Sequence, residues 1–266
     1  MLPPPPVPAP PAGPLPPPAP SSSGRRWGPP LAGVLLLVSA AIVLSVAVAG
    51  SNVVSKPHGP HAFLETLPDG SPYRWNPCQA IHYVVNPKNE PQGAAADVRE
   101  AIRRVSAATG IRFVYDGTTV ESAEQQIGGA FLSDVPGPRW LPVLIAFEKD
   151  SDFSYIADTR RAAAIGMPDR GDGALAHEYV SGAVIVDVGA GIPTGFGTRY
   201  AMGPILMHEL GHVMGLAHVG AGDEVMWSPL VRGATKSPDI NQVNWGPGDL
   251  EGLRALGRPA GCLPPR

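Results

Sequence analysis

Apolar residues fall along this chain in several rhythms, and each rhythm predicts a different element. From Leu31 to Ala49 the run is unbroken and uncharged. As a helix it is about 29 Å long at 1.5 Å per residue, close to the roughly 30 Å of a bilayer core. Beyond residue 75 the apolar runs are short and bounded by turn residues, as strands require. Ala80–Val85 reads as a first strand ended by Asn86-Pro87, and Ile111–Tyr115 as a second closed by Asp116-Gly117. Val143–Phe147 is continuously apolar and predicts a buried strand. Ala162–Met167 reads as a short edge strand and Ala183–Asp187 as another strand.

Between these runs the period changes to that of a helix. Over Gln92–Thr109, Val98, Ile102 and Val105 form one stripe, while Asp97, Arg99, Glu100, Arg103 and Arg104 lie off it. Gly110 follows as a C-cap. A second helix starts at Gly203-Pro204, with Pro at the first helical position, and buries Ile205, Leu206, Leu210 and Val213. A last one covers Pro247–Leu256, with Leu250, Leu253 and Leu256 on one side and Gly257 after it. Strand, helix, strand, strand, edge strand, strand, helix supports an α/β or α+β class.

Composition divides the chain. Residues 1–30 are dominated by proline and predict a disordered tail. Arg25-Arg26 precede the 31–49 run, and no basic residue follows until Lys56. The positive-inside rule then places the N-terminus in the cytoplasm and makes 31–49 a single-pass helix in contact with lipid. Ala47-Val48-Ala49 also suits a cleavage site, which would give a secreted protein. Either way the remainder is exported. Residues 50–74 read as linker, with His58 and His61 in it, and residues 75–266 as one domain. A net charge of −3 over 266 residues, without a basic run, points away from nucleic acid. Cys78 and Cys262 are the only cysteines, both in the exported part, and predict a disulfide.

The chemistry concentrates in His208-Glu209-Leu210-Gly211-His212-Val213-Met214-Gly215-Leu216-Ala217-His218. Histidines four residues apart share one helix face, so His208 and His212 can offer nitrogens to one metal ion. Glu209 can stand beside that ion without occupying a coordination position. Gly215 can take positive φ and turn the chain, which returns His218 as a third ligand. Three protein ligands leave one tetrahedral position open, the mark of a catalytic rather than a structural zinc.

The spacing resembles that of the metzincin metallopeptidases, with the H-E-x-x-H-x-x-G-x-x-H signature at His208, Glu209, His212, Gly215 and His218. Their methionine turn is matched by Met226 in Glu224-Val225-Met226-Trp227. The resemblance leans to the matrixin-like branch, since Trp227-Ser228-Pro229 supplies no tyrosine ligand after the methionine. Val219, after the third histidine, departs from the Ser, Asp, Glu or Pro that sorts the branches. The resemblance implies an α+β fold: a twisted, mixed five-stranded sheet with an active-site helix, a second packing helix and a C-terminal helix. Met226 would form an apolar floor below the metal. One catalytic Zn²⁺ would be held by His208, His212 and His218, with Glu209 as general base in peptide hydrolysis, and the substrate would be an extended peptide or protein.

Weaker signals lie elsewhere. Gly173-Ala174-Leu175-Ala176-His177 resembles a matrixin segment whose histidine helps hold a structural zinc, but Val184–Asp187 lacks the second histidine, so a second zinc is not favoured. Calcium at Asp169, Asp172 or Asp187 is disfavoured against a solvated loop. Two function classes remain, an extracytoplasmic zinc endopeptidase and a catalytically silent binding protein of the same fold. The intact Glu209 favours the first.

Overall fold

A computed structural model of the protein describes residues 59–126, 140–149, 163–228 and 238–264. The proline-rich tail, the 31–49 run and His58 lie outside the described residues. The fold is α+β, built on a mixed five-stranded sheet.

The strands are β1 (Ile81–Asn86), β2 (Phe113–Thr118), β3 (Val143–Glu148), β4 (Ala164–Arg170) and β5 (Tyr179–Asp187). Their order is β2-β1-β3-β5-β4. The first four in that order run parallel, and β4 lies antiparallel to β5 at the edge. Every residue of β3 is buried, which explains its unbroken apolar run. Alternation sorts the two faces: Val143, Ile145, Phe147, Val184 and Val186 join the large core, while Leu144, Ala146, Ala183 and Ile185 join a smaller one.

Helix α1 (Ala94–Thr109) belongs to the large core. It buries Val98, Ile102 and Val105, and Gly110 closes it at φ 71°. A short α2 covers Ala123–Gln126. Helix α3 (Met202–Met214) carries the histidine motif and α4 (Pro247–Leu256) follows. On α4, Leu253 and Leu256 are buried but Leu250 is only half-buried.

Several boundaries differ from those predicted. β2 begins later and continues through Asp116-Gly117, because that pair forms a bulge: Tyr83 pairs with Tyr115 but Val85 with Thr118, and Gly117 has φ 106°. α3 starts one residue before Gly203, which puts Pro204 third in the helix, still in the first turn where no intrahelical N–H partner is needed. β4 and β5 run past the predicted stretches up to the Arg170–Tyr179 pair, where buried Tyr179 joins the large core.

The predicted disulfide is present: Cys78 and Cys262 are bonded, with Cα atoms 5.3 Å apart at a sequence separation of 184. It ties the approach to β1 to the segment after α4. Residues 59–74, assigned above to the linker, lie along the same domain. Leu64 N–H donates to the Gly215 carbonyl and Ala217 N–H to that of Ala62, each at 2.8 Å.

Candidate metal centre

Helix α3 is buried over most of its surface. Its interior face rests on α1 and the sheet, and Trp75 Nε1 donates to the Val213 carbonyl at 2.8 Å near its end. Gly215, at φ 111°, then bends the chain sharply; its N–H and that of Leu216 satisfy carbonyls of the last helical turn. A side chain at 215 would require that φ of an L residue and would meet Tyr179 at 2.9 Å. The bend aims the Leu216 carbonyl back at His212 and brings His218 opposite the helix.

The three histidines converge. Their ligand atoms lie within 4.8 Å of one another, the one group of three or more potential metal ligands among the described residues. His218 Nε2 is 3.0 Å from Nε2 of both His208 and His212. His208 Nδ1 donates to the Val225 carbonyl at 2.7 Å and His212 Nδ1 to that of Leu216 at 2.7 Å. A carbonyl only accepts, so each Nδ1 carries the hydrogen and each Nε2 presents its lone pair to the common centre. Lone pairs that close repel unless a proton or cation stands between them. Burial drives the His208 pKa down to about 3 and that of His212 to about 4, with mutual repulsion adding to it. His218, the most open of the three, is lowered by burial too. Neutral imidazoles that need shed no proton are the donor set zinc prefers.

Glu209 points to the other wall of the cleft. Only 7% of it is exposed, and burial raises its pKa to about 8 against a hydrogen bond from Gly166 N–H. A dication a few ångströms away would draw that value back down and restore the carboxylate. Gly166 is glycine for a reason of space: a Cβ there would sit 2.1 Å from the Glu209 carbonyl oxygen. Edge strand β4 therefore crosses directly over the motif helix. Between them lies a cleft of about 630 Å³, lined by Ala164, Gly166, Glu209, Arg199 and Trp227 together with the histidines.

Met226 is 1% exposed and lies against α3 where Gly211 makes room; a Cβ at 211 would come within 2.5 Å of its sulfur. What holds this turn was not legible in the sequence. Asp249, in the first turn of α4, accepts from Val225 N–H at 2.6 Å, Met226 N–H at 3.3 Å and Gly246 N–H at 3.0 Å. Glu224 answers by accepting from Gly248 N–H and Asp249 N–H, each at 2.9 Å. Two carboxylates thus sit at the positive end of α4. Burial and repulsion from Glu224 push the Asp249 carboxyl up, against its backbone hydrogen bonds. The bond from Asp249 to the Val225 peptide leads straight to His208, whose ring that same peptide's residue orients. An acidic residue after Gly246-Pro247 marks a helix start, but nothing in spacing says that it serves a turn more than twenty residues upstream.

The weaker candidates are not drawn together. His177 is exposed and its Nδ1 lies 3.0 Å from the Tyr73 hydroxyl. Asp169, whose pKa is raised by burial, and Asp172 form no three-ligand group with it, and Asp187 accepts from Gly189 N–H at 2.7 Å. His61 packs edge-on to Phe63. His82 is an exposed strand side chain 2.9 Å from Asp116.

No family model matches the sequence, and no curated protein matches it. Among solved structures the chain is similar to high choriolytic enzyme 1, a hatching-enzyme zinc protease from the medaka fish Oryzias latipes. The identity is 13%, the TM-score 0.39, and the alignment covers 73% of this chain and 98% of that one. A likeness of that size carries no argument about activity, so the functional case stands on the residues.

Proposed function

We propose that the chain is a zinc-dependent endopeptidase of the metzincin type, nearest the matrixin-like branch, with its catalytic domain outside the cytoplasm. The observation behind this is the convergence of three imidazole Nε2 atoms beside a buried carboxylate, in a cleft roofed by an edge strand. His208, His212 and His218 would hold the zinc. When bound, the ion supplies a Lewis acid that polarises a peptide carbonyl and acidifies the attacking water. Glu209 accepts the proton of that water and delivers it to the leaving amine. The side of β4 away from β5, which pairs with no strand among the described residues, would offer backbone groups to an extended substrate that adds as a further strand. Met226 and Asp249 keep the floor and the His208 ring in place.

Residues 31–49 would anchor the domain as a single membrane pass with the N-terminus in the cytoplasm. Support comes from the length of that run and from Arg25-Arg26. Among the described residues no helix is long and apolar enough to cross a membrane. The decisive experiment is cleavage of a peptide library by the purified full chain with zinc, with chelator and with zinc restored. Absence of chelator-sensitive cleavage would overturn the activity. A mature N-terminus near Gly50 on a soluble protein would overturn the anchor.

A further inference from the structure

Arg199 is a cation lining the cleft that forms no ion pair among the described residues. It precedes α3 and lines the same cavity as His208, Glu209 and Trp227. Its Nη1 donates to the Gly222 carbonyl at 3.1 Å and to the Asp239 carbonyl at 3.3 Å, and its Nη2 to the Glu224 carbonyl at 3.4 Å. The guanidinium also stands 5.2 Å from the centre of the Trp227 ring. These contacts fix its position, yet all are to neutral groups. None of the ion pairs among the described residues includes Arg199. Burial works against its charge, and Tyr200, Asp249 and Asp239 favour it only through space; the two carboxylates make their hydrogen bonds to backbone N–H groups, Asp239 to Asn241 and Asp249 to Val225, Met226 and Gly246.

A half-buried guanidinium that stays charged, presented to a peptide cleft, favours a carboxylate over any neutral group. A zinc ion held by the three histidines would add positive charge on the same side of the balance. Resting on the peptidase function proposed above, we infer that Arg199 makes this cleft select substrates that place a carboxylate beside Trp227. That carboxylate can come from an Asp or Glu side chain or from the substrate's own C-terminus.

The test pairs Glu with Gln at each position around the scissile bond in otherwise identical peptides. Each peptide is prepared with a C-terminal acid and with an amide, and kcat/KM is measured on the zinc-loaded full chain. At one position Glu should exceed Gln by about tenfold to a hundredfold, the range of a charged hydrogen bond. If instead the acid exceeds the amide, the chain end is the carboxylate sought. R199K should keep much of the preference and R199E should invert it toward Lys at the same position. The ratio in the wild-type protein decides the matter even if the variants fail to fold. Cleavage of Glu and Gln peptides alike, acid and amide alike, overturns the carboxylate preference and leaves the peptidase function standing. Cleavage of no peptide removes both.

Discussion

Two segments of this domain carry histidines beside acidic residues at spacings that suggest metal, and the fold treats them differently. His208, His212 and His218 are pressed into one point; His177, with Asp169 and Asp172 upstream, is left on the surface beside Tyr73. The difference is not the number of ligands available. It is what stands behind them. Each of the first two imidazoles has its far nitrogen fixed by a backbone carbonyl, one from the Gly215 bend and one from the Met226 turn. The ring of His177 leans on a side-chain hydroxyl, that of Tyr73, instead. A site gathers ligands where the backbone has already decided how each ring faces.

The comparison breaks most easily at His212. His212→Ala removes a ligand and leaves two, so zinc content measured by atomic emission should fall from one per chain to near zero, with peptide cleavage lost alongside. Retention of stoichiometric zinc would mean that the three rings are not its holders. Stability offers the next largest effect. The disulfide fixes the chain just beyond α4, the helix whose Asp249 braces the Met226 turn. Closing a loop of 184 residues stabilises by at most about 5 kcal/mol in the chain-entropy model. Reductant should therefore lower the melting temperature and loosen zinc binding; a melting curve indifferent to reductant would separate the brace from the bond.

Glu209 tests whether convergence serves chemistry. Glu209→Ala should leave zinc bound while cleavage falls on the order of 10²-fold or more. Full activity in that variant would assign the base elsewhere. The milder Glu209→Gln separates the charge from the shape in chelated protein. Glu209 has a folded pKa near 8 against an ordinary value of 4.5. Between those values the unfolded chain sheds the proton and the folded chain keeps it, so the wild type loses stability as pH rises through that window. Chelated Glu209→Gln escapes this. It should be the more stable protein, by at most about 3 kcal/mol at pH 7 and by little at pH 4.5. Zinc should narrow the gap by favouring the carboxylate. Equal pH profiles for the two chelated proteins would show that Glu209 is ionised in the folded state without metal.

Much of this was legible in the chain. The histidine spacing needs only the helical repeat and one glycine, so its geometry follows from local rules. The buried central strand announced itself because β3 is apolar on both faces. Local rules also explain what was misread. Asp116-Gly117 has the composition of a turn, and only pairing with β1 shows it to be a bulge. Asp249 and Glu224 carry their meaning in contacts between segments more than twenty residues apart, which no period encodes. Arg199 is similar: the sequence shows a lone arginine before a helix, and only the fold shows its guanidinium held by three backbone carbonyls at the wall of the cleft.

The smallest effect is expected at His177, and it completes the comparison. The residue is exposed, hydrogen-bonded to Tyr73 and edge-on to that ring at 5.3 Å. Removing an exposed side chain with one hydrogen bond and one ring contact costs about 1 kcal/mol or less. His177→Ala should therefore melt close to the wild type, bind one zinc and cleave peptides at the wild-type rate. The informative reading is the metal count. Two zinc ions per wild-type chain, falling to one in His177→Ala, would make His177 a ligand of a second ion. The rule drawn from His208 and His212 would then fail, since a ring oriented by a tyrosine hydroxyl would have proved sufficient. One ion in both proteins would leave backbone orientation as the property that divides the two segments.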